Sequence, residues 1–115
     1  MDYSITQLQS LAKNNQQELI NIINSNNINI STLTMAVEIL GEKISDEILV
    51  LPIFKRLLKH IHADVRESTI LAILSFYSNN KVIPIDIFNK LKIIVKSDPS
   101  PNVRDCCCDL LNTLK

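Results

Sequence analysis

The sequence is poor in glycine and aromatic residues, with one glycine, five Phe or Tyr residues and no tryptophan among 115 residues. Tight turns between strands favour glycine and strands favour aromatic side chains, so this composition argues against a sandwich or barrel. No apolar run approaches the roughly 20 residues that cross a membrane, and residues 1–9 lack the pattern of a signal peptide. The three cysteines are consecutive, at 106–108, which excludes a spaced disulfide framework. We therefore expect a cytoplasmic, all-α protein.

Aliphatic residues are abundant, with eighteen isoleucines and fifteen leucines in a chain that is 46% hydrophobic. This content is enough for the core of one domain spanning 1–115. Twelve basic and twelve acidic side chains cancel in the formal charge, but residues 1–47 carry a net charge of −4 and residues 48–115 a net charge of +4. The charges are therefore segregated along the chain.

Capping residues and short polar segments predict about seven helices. Ser4 with Gln7, Asn15 with Glu18 and Asp64 with Glu67 have the spacing of capping boxes. Ser31, Ser45 and Ser100 mark further starts, the last because Pro101 suits the first helical position. Gly41 is expected to end a helix at positive φ, and Pro52 is expected to kink a helix or mark its beginning. The predicted helices span 4–13, 15–25, 31–41, 46–60, 64–78, 85–96 and 101–114.

An internal repeat predicts how these helices are arranged. A shift of 38 residues superposes Asp64-Val65-Arg66-Glu67 on Asn102-Val103-Arg104-Asp105. A shift of 37 superposes the apolar positions of 46–60 on those of 85–96. A shift of 33 superposes Ala36, Ile39 and Leu40 on Thr69, Ala72 and Ile73, which indicates that 31–41 is the second helix of a degenerate earlier unit. Two-helix units of this period are typical of an α-solenoid. We predict capping helices within 1–30 and repeat units at 31–78 and 79–115.

The two tetrapeptides, each followed by small and then aliphatic residues, resemble the start of the second helix of a HEAT repeat. The resemblance covers about two thirds of the chain, over 46–78 and 83–114 and more weakly over 31–41. It implies a right-handed solenoid of antiparallel helix pairs, with second helices lining a concave side where members of the family generally bind partners. Alanines usual in the family are replaced at 68–69 and 106–107, which changes packing and not fold class.

The chemistry-bearing residues favour structural roles. Arg66 and Arg104 recur at equivalent positions near Asp64 and Asp98, which indicates ion pairs between repeats. Adjacent helical cysteines point about 100° apart and cannot converge on one metal ion. No phosphate-binding loop, nucleophile elbow or His-Glu-x-x-His helix is present, and the two histidines at 60 and 62 lack a carboxylate pattern. We therefore predict no enzyme activity, no metal and no cofactor. The predicted buried stripe is Val65, Thr69, Ile73, Phe76, Val103, Cys107, Leu110 and Leu111.

Charges of opposite sign recur on the two helices of each unit. Lys55 and Lys59 of the first helices correspond at a shift of 37 to Lys92 and Lys96. Acidic side chains recur at exposed positions of the second helices. The simplest alternative is that any solenoid exterior carries charges. Randomly placed charges would mix the two signs, however, whereas here the acidic side chains recur on the second helices and the lysines on the first helices. The predicted partner-binding residues are Glu38, Glu42, Glu67, Leu71, Asp105 and Asp109.

These features predict a protein-binding module with an acidic surface for a basic protein partner. Short bacterial HEAT-repeat proteins that the chain resembles include immunity proteins, and a nuclease-type toxin must present positive charge to bind nucleic acid. One alternative is nucleic-acid binding through the basic stripe, although a pI near 6.7 and the absence of tryptophan argue against it. The other alternative is a scaffold or assembly subunit. We expect no membrane contact and no small-molecule substrate.

Overall fold

The computed structural model describes residues 3–25, 27–78 and 81–114. These residues form seven helices and no strand, so the all-α prediction is confirmed. Every helix was predicted, with ends that differ by three residues or fewer. In the described part of the chain, the helices are too short or too polar to span a bilayer. The helices are α1 (Ile5–Asn14), α2 (Gln16–Ile23), α3 (Ile30–Lys43), α4 (Glu47–Leu57), α5 (Ala63–Tyr77), α6 (Ile85–Ser97) and α7 (Pro101–Thr113).

Three of the predicted helix starts carry the expected caps. The Ser4 hydroxyl accepts the Gln7 backbone N–H at 3.1 Å, and the Gln7 amide oxygen accepts the Ser4 N–H at 2.7 Å, which completes the capping box. The Asn15 side chain accepts the N–H of residue 18 at 3.2 Å and caps α2. Ser100 caps α7, with Pro101 at the first helical position. These short-range signals are readable because each cap satisfies a backbone amide of its own helix.

The three other predicted starts are wrong in detail. Asn29 caps α3 in place of Ser31, and Asp46 caps α4 in place of Ser45. Helix α5 already begins one residue before Asp64 and has no side-chain cap. Asp64 instead lies in the first turn of α5, where a carboxylate is favoured by the helix dipole. Neighbouring polar residues compete for the cap, so the sequence locates the start only to within a residue or two.

Gly41 does not end α3, because the helix continues to Lys43 and the glycine is buried inside it. A Cβ at this position would lie 2.7 Å from both the Cα and the Cβ of Ala72 in α5. Real Cβ atoms essentially never approach so closely. The glycine therefore permits a close approach between α3 and α5, which form the most extensive helix pair in the described structure.

The helices form two rows. Helices α1, α3, α5 and α7 contact one another in that order, and we call them the odd row. Helix α2 packs on α1 and α3, α4 packs on α5, and α6 packs on α7, which makes the even row. The even row is connected by side chains: Arg56 donates a hydrogen bond to the Asn24 amide oxygen at 2.6 Å, and the Lys55 ammonium pairs with the Asp86 carboxylate. Pro52 lies inside α4 and does not mark its beginning.

The predicted buried stripe is confirmed except at one position. Seven of its eight residues are buried on α5 and α7. Leu111 is only half-buried, because it lies about 100° around α7 from Leu110, at the edge of the stripe. The Phe76 ring packs edge-on against Phe54 and Tyr77, with ring centroids 5.9 and 4.9 Å apart. All three rings belong to the hydrophobic core, and the Phe54–Phe76 contact joins α4 to α5.

Arg66 and Asp98 form the predicted structural pair. The Arg66 guanidinium donates to both carboxylate oxygens, at 2.9 and 3.0 Å, and also to the His60 carbonyl at 2.8 Å. Asp98 accepts the Ser100 N–H at 2.9 Å, while Arg104 donates to the Asp98 carbonyl at 2.6 Å. Burial would raise the pKa of Asp98, but the Arg66 bond, the Ser100 amide and nearby arginine charges hold it below its usual 3.8. The network joins the α4–α5 loop to the α6–α7 loop.

Candidate protein-binding surface

The six predicted partner-binding residues lie on three successive helices of the odd row. Helix α5 contacts both α3 and α7, so the three pairs occupy neighbouring helices. Four of the six side chains are exposed, while Glu38 and Glu67 are half-buried. We call the six residues the acidic surface: Glu38 and Glu42 of α3, Glu67 and Leu71 of α5, and Asp105 and Asp109 of α7.

A groove between α3 and α5 forms the centre of the acidic surface. It is open, has a volume of about 460 Å³, and brings together Glu38, Glu67 and Leu71. Leu71 is 39% exposed, so it offers an apolar contact beside the carboxylates. None of the described lining residues is basic. The remaining lining residues are Ile30, Ser31, Thr34, Asp64 and Ser68.

Asp64 is a groove residue that the sequence did not assign to the partner surface. It was expected to cap α5, but it lies one residue inside that helix and lines the groove with Glu38 and Glu67. Its spacing of three residues from Glu67 places both carboxylates on one side of α5. The same spacing of three residues is typical of a capping box, so the sequence alone does not distinguish the two roles. The groove thus holds three carboxylates where two were predicted.

Glu38 is held in place by a side chain from the facing helix. The Ser68 hydroxyl donates a hydrogen bond to the Glu38 carboxylate at 2.8 Å. Ser68 is buried, with 7% of its surface exposed, so its position is determined by packing between α3 and α5. The hydrogen bond to the charged acceptor holds the carboxylate in one position. Because the side chain is already ordered, it loses less rotamer entropy when a partner binds than a free glutamate would. Ser68 thus has a polar role between α3 and α5.

The field of these carboxylates reaches α7. Burial and the negative charges of Glu67, Asp109 and Glu38 raise the pKa of the Cys106 thiol to about 11. These three acids belong to three different helices, yet all act on one half-buried side chain of α7. The carboxylates of α3, α5 and α7 therefore lie close enough together to act on the same side chain. Asp105 extends it along the exposed side of α7.

The acidic surface ends at the carboxyl end of α3. Glu42 is exposed there, but it does not line the groove. Lys43 follows it and shares an open depression with Lys13 of α1. Each lysine lies in the last turn of its helix, where a positive charge is favoured by the helix dipole. Glu42 thus sits at a boundary where the sign of the surface changes.

The predicted basic stripe lies on α4 and α6 of the even row, except for Lys59, which follows the end of α4. Lys59, Lys92 and Lys96 are exposed, and Lys55 is paired with Asp86. The Lys92 ammonium lies 5.5 Å from the centroid of the Phe88 ring. Because Asp86 neutralises only Lys55, the other lysines leave a net positive charge on the outer side of α4 and α6. The outer side of α4 and α6 is therefore basic, whereas the acidic surface lies on α3, α5 and α7.

Other chemistry-bearing side chains have structural surroundings. The Cys107 thiol is buried, donates to the Leu91 carbonyl at 3.2 Å, and has a pKa raised to about 12, mainly by burial. The His60 ring accepts the His62 N–H on Nδ1 at 3.1 Å. Burial, His62 and two nearby arginines lower the pKa of His60 below 6.5. Among the described residues, no three His, Cys, Asp or Glu side chains are placed to hold a metal ion.

No family model, curated protein or solved structure matches this chain.

Proposed function

We propose that the protein is a non-catalytic binding module that engages a basic protein partner through the acidic surface. The observation that supports this most strongly is the groove between α3 and α5. It places the carboxylates of Glu38, Asp64 and Glu67 beside the partly exposed Leu71. Carboxylates around an apolar contact suit a lysine or arginine of a protein, whose aliphatic stem packs while its charged end pairs.

We also propose that the two rows are a right-handed HEAT-like solenoid, with α2 and α1 as a cap. Three features support this arrangement: the repeated helix pairs, the contacts of α3, α5 and α7 in order, and the equivalent placement of Arg66 and Arg104. Each arginine donates to a backbone carbonyl six residues before it. In this proposal the odd row lines the concave side. A concave acidic side would surround a basic partner on more than one helix.

Within this class, we propose an immunity protein that neutralises a nuclease-type toxin in the cytoplasm. A nuclease domain needs a positive surface to bind phosphates, and an inhibitor that presents several carboxylates competes with nucleic acid for that surface. Opposite charges also steer encounter and raise the association rate. Fast association suits an inhibitor that must act before its target cleaves nucleic acid.

The alternative proposal is nucleic-acid binding through the lysines of the even row. The observation that favours it is the exposed positive charge of Lys59, Lys92 and Lys96. Exposed isoleucines on the same helices disfavour it, because phosphate contacts do not bury apolar side chains. The two proposals assign binding to opposite rows, so charge reversal on one row at a time distinguishes them.

The test is capture from a lysate of the source cells on three immobilised proteins. They are the wild type, the double variant Glu67→Lys/Asp105→Lys, and the matched control Lys92→Glu/Lys96→Glu. We expect a basic protein to be retained by the wild type and the control, and lost with the reversed acidic surface. Asp105, Lys92 and Lys96 are exposed, and such substitutions change stability by about 0.5 kcal/mol or less, whereas Glu67 is half-buried, so circular dichroism verifies that each variant is folded.

The partner identified by mass spectrometry is then purified for kinetics. Reversal of Glu67 and Asp105 should lower the association rate constant on the order of tenfold at low salt and weaken its salt dependence. An immunity role further requires that the wild type abolish a nuclease activity of that partner at equimolar concentration. Retention of nucleic acid by the wild type, lost only in the Lys92→Glu/Lys96→Glu variant, would contradict the proposal.

A further inference from the structure

The outer side of α6 is apolar as well as basic. Only Ile87 and Leu91 of this thirteen-residue helix are buried. Ile85 and Ile93 are 71% and 65% exposed. At 100° per residue they share an arc of about 100° with Lys92 and Lys96. Exposed isoleucines next to lysines on one helical arc are a surface typical of interaction sites.

Helix α4 presents the same pattern beside it. Ile48 is 83% exposed and shares its arc with Lys55 and Arg56. The pairing of Lys55 with Asp86 places this side of α4 next to α6 and neutralises the one acidic residue of α6. The two helices thus form one continuous surface. We call it the basic face: Ile48, Lys55 and Arg56 of α4 with Ile85, Lys92, Ile93 and Lys96 of α6.

The acidic surface is the electrostatic complement of the basic face. It combines the carboxylates of α3, α5 and α7 with the partly exposed Leu71. The basic face combines lysines and an arginine with exposed isoleucines. We propose that the basic face of one copy docks onto the acidic surface of a second copy. This inference goes beyond binding to another protein and stands without it, since it needs only this chain.

Charge and apolar character together favour a second copy as the occupant. A nucleic acid would pair with the lysines but leave Ile85 and Ile93 in water. A second copy supplies carboxylates for the lysines and Leu71 for the isoleucines. The accessible surface of the protein is 6541 Å². An ordinary interface of about 800 Å² per partner takes up about one eighth of it, which leaves room for a separate contact surface on each row.

This contact joins two different surfaces, so a docked pair leaves the acidic surface of one copy and the basic face of the other available. Association of this kind is heterologous and continues beyond a dimer unless the rotation between copies closes a ring. It also occupies the acidic surface, so a basic partner and self-association compete. We expect the average mass to rise with concentration and to fall as salt screens the charges.

Sedimentation velocity of the purified protein tests the contact, from about 10 μM to about 1 mM at low and at high salt. The wild type should sediment faster with rising concentration at low salt and as a monomer at 0.5 M salt. Variants Glu67→Lys/Asp105→Lys and Lys92→Glu/Lys96→Glu should each associate far more weakly, because the first lowers the formal charge of the acidic surface from −5 to −1 and the second lowers that of the basic face from +4 to 0. An equimolar mixture of these two variants should associate, since one retains the basic face and the other the acidic surface.

The equimolar mixture of the two double variants is the decisive control. Each variant contributes its unreversed surface to the contact, so the mixture should associate, which proteins that had merely lost their fold would not do. Ile93→Glu, at a well exposed position, should weaken the wild-type association at least tenfold. A wild type that stays monomeric to about 1 mM at low salt overturns the proposal. Association that survives either double reversal, or binding of the monomer to anionic vesicles through the basic face, also overturns it.

Discussion

Replacement of Gly41 by alanine tests the close approach of α3 and α5. Gly41 lies inside α3, where alanine is favoured over glycine by about 1 kcal/mol in helix propensity. The added methyl would lie 2.7 Å from the Cα and Cβ of Ala72. Carbon atoms in favourable contact are about 3.5 to 4.0 Å apart, so the two helices would have to separate by about 1 Å. The atoms that must move include backbone, which has no alternative rotamer.

The expected result of Gly41→Ala is a net destabilisation of about 2 kcal/mol. Overpacking of a core usually costs about 1 to 3 kcal/mol, and we expect a clash with backbone to cost about 3 kcal/mol. The gain of about 1 kcal/mol in helix propensity offsets part of this cost. Urea denaturation followed by circular dichroism measures this difference. At about 4 °C per kcal/mol for a domain of this size, the thermal midpoint should fall by about 8 °C.

A double-mutant cycle identifies the clash as the cause. Ala72→Gly removes the facing Cβ, so the double variant Gly41→Ala/Ala72→Gly should be more stable than the sum of the single effects predicts. Relief is partial, because the backbone carbonyl oxygen of Ala72, which is the nearest atom to the new methyl, and the Ala72 Cα both remain. A Gly41→Ala protein that is more stable than the wild type by about 1 kcal/mol would refute the close approach, because propensity alone would then account for the change.

Three further predictions concern the core, acid stability and thiol reactivity. Phe76→Ala should destabilise the protein by about 3 to 5 kcal/mol in urea titrations, because the ring is buried; a loss below roughly 1 kcal/mol would show that the face is wrongly assigned. The folded state holds the pKa of Asp98 below 3.8, so its stabilising contribution is complete above that value and is lost as the pH falls through the folded pKa. Asp98→Asn should therefore lower stability at pH 7 by about 2 kcal/mol and flatten its decline below pH 4, and an unchanged acid decline would contradict this. With a thiol reagent at pH 8 only the exposed Cys108 should react quickly, whereas fast reaction of Cys107 would contradict its burial.

Much of the fold was predictable because its signals are local or periodic. The Ser4 cap and the buried side chains of α5 depend on spacing within one helix, which the sequence displays directly. The Arg66–Asp98 pair joins residues 32 apart and was still predictable, because the repeat shows the same arginine at 104. Repetition thus supplied long-range information that one helix alone does not contain.

Features that depend on how two helices approach were not predictable. Gly41 has the same local signature as a helix terminator, and only the position of Ala72 reveals its packing role. Asp64 has the spacing of a cap, and only the geometry of α3 against α5 places it in the groove. The bond from Ser68 to Glu38 likewise crosses between helices. The acidic residues themselves were predicted, but the groove that arranges them was not.

Labelling of carboxyl groups in the presence of the partner is the most direct test of binding through the acidic surface. The protein is treated with a carbodiimide and an amine, free and in complex, and modification is quantified for each acid by mass spectrometry. We predict protection of Glu67, Asp105 and Asp109, with unchanged labelling of Glu18 on α2 as the internal control. Lysine labelling should leave Lys92 and Lys96 as reactive as in the free protein. Unprotected carboxylates together with protected lysines at these two positions would contradict binding through the acidic surface.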